Sequence, residues 1–600
     1  MPELHFKGKE YVYNHHLTVP YRPLVVHSDK SIGDQELDGN LIIQGDNLHA
    51  LKALLPRYAG KVDCIFIDPP YNTGNENWSY NDNVNSPLMK EWLSSNPVNK
   101  EDMLRHDKWL CMMYPRLKLL HELLSEKGSF WMTLDDNEYH HARSILDDIF
   151  GEDNFVATVI WHKIYSPKNT ALYFSEDHDY ILVYSKNKQL WRPQLLERTR
   201  EMEARFSNPD NDIRGPWKAG DLAARNYYSQ GTYEINCPSG RVIKGPPRGM
   251  YWRMKEQKFH EYDVDNRIWW GVDKNNVPAI KRFRSEVKEG RVPQTIWHWK
   301  DVGHTQDAKK ELISIMNFES TQDVFITPKP VSLLARVLQL ATDENSIVLD
   351  SFAGSASTGH AVLSQNQKDG GGRQFILVEC EDYADNLTAE RIRRAINGYS
   401  FKGTQKEELF REKVTLSNLK KSQELLHKLD GIENLEKHRF DKVDRTVKDG
   451  ELLMVGKKEI KEKVEAIGGG FTFCTLGAPV DLDKILTGEN LPTYGDLGSW
   501  LFHTATGEPL DTSSVDEKTW FLGESSQCQV WLIYKPSFEF LKSKEASLTL
   551  DLAEEISKKG VSGKRNLVFA PAKYVANKML LPLGVEYAPL PYSLYRVTKE

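Results

Sequence analysis

The sequence predicts an α/β chain built on a doubly wound, mostly parallel sheet, with an inserted mixed α/β segment and a C-terminal α+β domain. Two observations carry this prediction. Short apolar runs without polar alternation suit parallel strands buried on both faces, and here they recur and end on acids: Leu41 to Asp46, Asp63 to Asp68, Gly128 to Asp136, Ser346 to Asp350 and Gln374 to Glu379. Between them lie stretches of helical spacing, such as Leu48, Leu51, Leu54 and Leu55 after the first run. Strands alternating with helices predict a sheet whose ligands bind beyond the carboxyl ends of its strands.

Taken in order, residues 1–40 are a polar arm. Its His15-His16 pair lacks an i, i+4 partner and reads as packing rather than a metal site. Residues 41–154 form one half of the sheet. Asp46 stands at a strand end, where a site role and a helix N-cap are equally open. The next strand stops at Asp68-Pro69-Pro70-Tyr71. Two prolines cannot extend a ladder, so the turn is stiff, rich in acceptors and poor in donors, beside an aromatic face. Such a turn suits a planar group presenting an amine: adenine N6, cytosine N4 or a carboxamide. Residues 72 to 100 read as a loop near this site, and Leu110 to Leu124 as a helix despite Pro115.

From about 155 the pattern changes, and residues 155–320 read as an inserted domain that includes strands Val156 to Trp161 and Tyr180 to Tyr184. Residues 241–300 hold fourteen Lys or Arg against seven Asp or Glu, together with Trp252, Trp269, Trp270, Trp297 and Trp299. Basic residues interleaved with aromatics supply phosphate contacts and stacking surface, with Lys281, Arg282, Arg284 and Arg291 as candidates. Residues 321–400 return to the sheet. Thr327-Pro328-Lys329-Pro330 precedes a helix, and Asp350 to Thr358 is a small-residue turn between strand and helix that lets a ligand approach the backbone. Glu379 ends the next strand, where a carboxylate can accept ribose hydroxyls. Residues 401–450 are charged and read as a helical connector, and residues 451–600 as a separate domain without evident chemistry.

The bulk numbers exclude several classes. With 40% apolar and 27% charged residues the composition is that of an ordinary globular chain. There is no apolar run of membrane-spanning length and no signal-peptide core near Met1, so a cytoplasmic location without membrane contact is expected. Six scattered cysteines without a C-x-x-C pair argue against zinc and disulfides, and no metal is expected. A net charge of −7 leaves any polyanion contact to local patches.

The pairing of Asp68-Pro69-Pro70-Tyr71 with the later Phe352-Ala353-Gly354-Ser355-Ala356-Ser357-Thr358 resembles the β group of DNA amino-methyltransferases. Further stretches, including His16 to Pro23, Asp68 to Gly74, Asn266 to Gly271 and Val302 to Gln306, resemble modification subunits of Type III restriction-modification systems over roughly residues 1–400. The resemblance implies a Rossmann-like fold using S-adenosylmethionine. Asp68, Pro69, Pro70 and Tyr71 would grip a flipped-out adenine, with Asp46 near the base or cofactor pocket. Asp350, Phe352, Ala353, Gly354, Ser355 and Glu379 would hold the cofactor, and Thr327, Lys329 and Pro330 its carboxylate flank. It also implies double-stranded DNA as partner, a homodimer, and a restriction or helicase subunit, with 155–320 as the target-recognition domain. The rival readings are a cytosine-N4 enzyme, an N5-glutamine or RNA methyltransferase, and a non-catalytic specificity subunit of a nuclease. Relatives carry Gly-Thr-Thr where this chain has Ala356-Ser357-Thr358. A β-carbon there narrows access to the cofactor, and weakened affinity is expected.

Overall fold

The computed structural model describes residues 4–73, 104–167, 170–316, 327–413, 422–448, 451–480, 491–561 and 563–590. The loop expected at 72 to 100 lies outside them from residue 74 onward. The chain forms two compact units, Met1–Arg192 with Gln294–Glu600, and Pro193–Pro293.

The first unit is built on a sheet of ten strands among the described residues. These are β1 (Leu24–Val26), β2 (Leu41–Gln44), β3 (Val62–Ile67), β4 (Leu124–Leu134), β5 (Phe155–His162), β6 (His178–Ser185), β7 (Ile296–Trp297), β8 (Ile347–Asp350), β9 (Gln374–Glu379) and β10 (Thr472–Leu476). Their order is β1-β10-β2-β9-β8-β3-β4-β6-β5-β7. The run from β10 to β4 is parallel throughout. Cys64, Ile65, Phe66 and Ile67 are all at most 2% exposed, as a strand covered on both faces requires. The covering helices are α1 (Asn47–Tyr58), α2 (Arg105–Leu123), α3 (Tyr139–Phe150), α4 (Val331–Ala341), α5 (Ser357–Asp369) and α6 (Glu390–Asn397). The first three pack in sequence on one another, as do the last three.

The chain leaves β3 toward β4 but leaves β8 toward β9, although β3 and β8 are neighbours. Their exits therefore diverge and open a crevice at the carboxyl edge, the switch point where doubly wound sheets bind ligands.

Three expected boundaries move. β5 and β6 form a hairpin that pairs antiparallel onto β4, with Leu134 opposite Tyr180, and β7 joins β5, so the inserted unit is 193–293 rather than 155–320. Residues 401–450 do hold a helix, Ser422–Glu436, but it is flanked by Tyr399–Lys413 and Lys442–Lys448, which pair with Glu451–Val464 in an antiparallel sheet. Ladder hydrogen bonds are made by the backbone, so a run of charges does not preclude them. β10, expected in a separate C-terminal domain, lies between β1 and β2, and Tyr21 stacks on Trp500 at 5.9 Å.

The second unit is smaller. Trp217–Asp221, Ala279–Phe283 and Ile268–Trp269 form an antiparallel sheet. Beside it lie two short antiparallel ladders and the helix Glu256–Val264, around a core that includes Leu222, Ile235, Trp252, Phe259 and Trp270.

Candidate active site

Asp68 follows β3 directly. Its Oδ1 accepts from Thr133 Oγ1 on β4 at 2.5 Å, and its Oδ2 accepts from the Lys329 ammonium. That ammonium also lies 5.1 Å from the centre of the Tyr71 ring. The Tyr71 hydroxyl donates to Asp179 Oδ2 at 3.3 Å, and Lys163 holds the other oxygen of Asp179 at 2.5 Å. Burial raises the Tyr71 hydroxyl well above the ordinary tyrosine range, and the charges of Asp179 and Asp68 add to it, so the ring serves as a neutral surface. The Pro70 carbonyl accepts from Trp109 Nε1 at 2.7 Å, while the Pro69 carbonyl accepts no hydrogen bond among the described residues. The turn ends at Asn72 in a left-handed conformation, φ 58°.

Sequence reasoning missed what holds Asn72. Its amide donates to Glu138, a fully buried carboxylate that also takes His106 Nδ1 at 2.6 Å and His141 Nδ1 at 2.8 Å. The three ligand-type side chains are close enough to hold a metal ion. In the structure, however, the carboxylate is engaged by donors on both oxygens. It acts on the Asp68 turn by steering Asn72. No spacing rule links residues 72, 106 and 138; only the fold does.

The second corner lies at the end of β8. Asp350 is buried and accepts from Thr358 Oγ1 at 2.5 Å and from the Phe352 N–H at 3.0 Å. Burial pushes its carboxyl up to about 7, with the charges of Asp68 and Glu379 adding to the shift. Glu379, also raised chiefly by burial, accepts the Gly354 N–H at 2.7 Å and the Glu381 N–H at 3.1 Å. Ala356 sits left-handed at φ 60° and fully buried. Arg391, unnoticed in the sequence, is fully buried and donates to the Ser355 carbonyl at 3.1 Å and to Ser357 Oγ at 3.0 Å, so it braces the turn from behind.

The corners are joined. Ser357 Oγ donates to the Lys329 carbonyl at 2.7 Å, and the ammonium of the same lysine reaches Asp68. Lys329 thus sits on the Asp68 corner, not only on the flank expected for it; Pro330 is buried beside it and Thr327 is exposed. Asp46 caps α1 through the Leu48 and His49 N–H groups and pairs with Arg116 at 3.1 Å. Asn47, next to it, donates to the Ser351 carbonyl at 3.1 Å. Asp46 therefore takes the N-cap role left open for it and borders the second corner.

In the second unit the expected phosphate contacts separate. Lys281 is only 1% exposed and paired with Asp210 and Asp212, so it is withdrawn as a DNA contact: two carboxylates on adjacent turns bury it. Arg284 pairs with Glu203 at 2.9 Å, and Arg291 donates to the Glu197 carbonyl at 3.3 Å. Arg282 is exposed and lines a cavity of about 590 Å³ with Arg253, Lys255 and Lys258, next to Tyr228 and Tyr262.

A doubly wound sheet with an acid-Pro-Pro-Tyr turn on one side of its switch point and an acid-bounded, small-residue turn on the other defines an α/β methyltransferase fold. Within that class the chain belongs to the DNA methylase family, whose model matches residues 62–390. It is 32% identical over 378 residues to the Type III restriction-modification enzyme StyLTI Mod subunit of Salmonella typhimurium, covering 61% of this chain and 56% of that one. It is 30% identical over 440 residues to the EcoPI Mod subunit of Escherichia phage P1, covering 65% of each. The type II methyltransferase M.KpnI of Klebsiella pneumoniae is 27% identical over 371 residues, 58% of this chain and 82% of that one. The matches thus span between about half and two thirds of the two Mod subunits' lengths. No helix among the described residues is long and apolar enough to cross a membrane.

Proposed function

We propose that this chain transfers a methyl group from S-adenosylmethionine to adenine N6 of a base swung out of double-stranded DNA, as the modification subunit of a restriction-modification system. Its unit of action is proposed to be a homodimer able to join a restriction subunit. The single observation that carries the chemistry is the Lys329 bridge, which ties the Asp68 turn and the Ser351–Ser357 turn into one crevice at one sheet edge.

The second corner fits the cofactor. Glu379 is fixed in place by the Gly354 and Glu381 N–H groups, and the left-handed turn before α5 brings backbone close to any occupant. Phe352, Ala353, Gly354 and Glu379 would hold it, with Asp350 and Ser355 shaping the turn and Pro330 closing the flank. Bound there, it supplies a sulfonium methyl as electrophile, with no need of a metal.

The chain's own groups handle the amine. Asp68 Oδ2 and the Pro69 carbonyl each accept one N–H, and Tyr71 offers its face to the base plane. Two acceptors draw the nitrogen toward tetrahedral geometry and free its lone pair. Lys329 marks the donor position on Asp68, and an ammonium there must yield before an amine can enter. Alignment then supplies most of the acceleration.

Asp68→Ala is expected to keep DNA and cofactor binding while abolishing transfer of labelled methyl into DNA. Hydrolysed product should contain N6-methyladenine. Undiminished transfer by the variant would refute the role of Asp68, and N4-methylcytosine would reassign the base.

A further inference from the structure

We propose that the tip of the loop joining β5 to β6, Leu172-Tyr173-Phe174, is a wedge that enters duplex DNA and fills the gap left by the extruded base. This rests on the methyl-transfer reading above.

The three consecutive side chains are 84, 87 and 90% exposed. A run of apolar groups held in water at a loop tip gains nothing for folding, so its use lies in what covers it. The stem beneath is firmly built. The Lys163 N–H donates to the Asp177 carbonyl at 2.9 Å, and the Thr305 N–H to the Lys163 carbonyl at 3.1 Å. Tyr165 packs edge-on against Trp299 at 5.0 Å, and Trp299 lies 5.6 Å from His304. Because β6 runs antiparallel to β4, the loop leaves the sheet from the same edge as Asp68. Its far stem continues into Asp179, the acceptor of the Tyr71 hydroxyl.

Position and size select the occupant. Three side chains on a narrow tip offer far less than the roughly 800 Å² per partner of a stable protein interface, so a second copy of the chain is poorly served. Inserted apolar side chains do suffice to separate or replace stacked bases, and base extrusion leaves such a gap beside the pocket that receives the base. Two aromatic planes on a stem fixed to the catalytic tyrosine match that need.

The test compares the full chain with Y173S/F174S on two duplexes carrying the motif found methylated in DNA from an expressing host. In one the target adenine is paired with thymine; in the other it faces an abasic site. Binding of S-adenosylmethionine alone checks that the variant is intact. The wedge predicts transfer reduced about tenfold or more on the paired target and by less than about threefold on the unpaired one, since only the former must be forced open. Equal losses on both duplexes, or no loss on the paired one, overturn it. So does a loss of self-association by the variant, which would assign the tip to a protein contact. Transfer by the wild-type chain to neither duplex would instead withdraw the methyl-transfer reading, and the wedge with it.

Discussion

At Ala356 the backbone is left-handed and the side chain wholly buried. An L-residue pays about 1–2 kcal/mol for that conformation. Glycine would remove the strain, but it adds unfolded-state entropy worth about 0.4–1 kcal/mol and leaves a methyl-sized gap. These terms nearly cancel, so Ala356→Gly should change stability by less than about 1 kcal/mol. Its effect belongs to the cofactor. With the β-carbon gone the backbone can come closer, and titration calorimetry should show S-adenosylmethionine binding about fivefold tighter, worth about 1 kcal/mol. An unchanged affinity would free Ala356 of any part in binding. Asp350 gives the pH counterpart. Burial raises its folded carboxyl to about 7 against about 3.9 in an unfolded chain, so the unfolded state releases its proton first. Its contribution is therefore intact below about pH 4 and lost progressively as pH rises to 7. Asp350→Asn carries no charge, and the stability gap between variant and wild type, from urea midpoints at several pH values, should shift in the variant's favour across that window. A gap independent of pH would show that Asp350 ionises normally.

Elements were legible where burial writes them into the chain. β3, β8 and β9 are covered on both faces, so nearly every residue must be apolar until the strand reaches the carboxyl edge, and the residue that stands there is an acid. That is why Asp68, Asp350 and Glu379 could be found in the sequence together with their turns. Elements whose partners are distant could not be placed. β10 follows β9 by almost a hundred residues yet lies next to β2, because a short apolar strand carries no record of which edge it will join. The β5–β6 hairpin was seen as two strands and assigned to the wrong body for the same reason. Arg391 and Glu138 brace the two turns from positions that only packing brings near. Lys281 shows the converse failure: its sequence neighbourhood is basic, and only the fold supplies Asp210 and Asp212 to bury it.

At the scale of the whole molecule the charge is divided. The chain carries −7 overall, while residues 241–300 carry fourteen basic against seven acidic side chains. Part of that excess is neutralised inside the second unit, where Lys281 and Arg284 are paired with carboxylates from outside this window. Among the cations that stay exposed and without a carboxylate among the described residues, Arg253, Lys255, Lys258 and Arg282 gather around one cavity. If those side chains meet phosphates, each neutralised phosphate releases counterions, and the slope of log affinity against log salt falls by roughly one for every such cation removed. The triple variant R253A/K258A/R282A should bind DNA more weakly at low salt, and its salt slope should be shallower by roughly two to three units. Stability and S-adenosylmethionine binding should stay as they are, because surface substitutions of this kind usually shift stability by less than about 0.5 kcal/mol. K281A is the informative contrast. Removing the cation leaves Asp210 and Asp212 without their ammonium, and breaking a buried pair costs about 3–5 kcal/mol, so the second unit should unfold earlier. Fluorescence anisotropy with a labelled duplex across a salt series separates these outcomes, and a triple variant with the wild-type slope would place the DNA-binding cations on another surface.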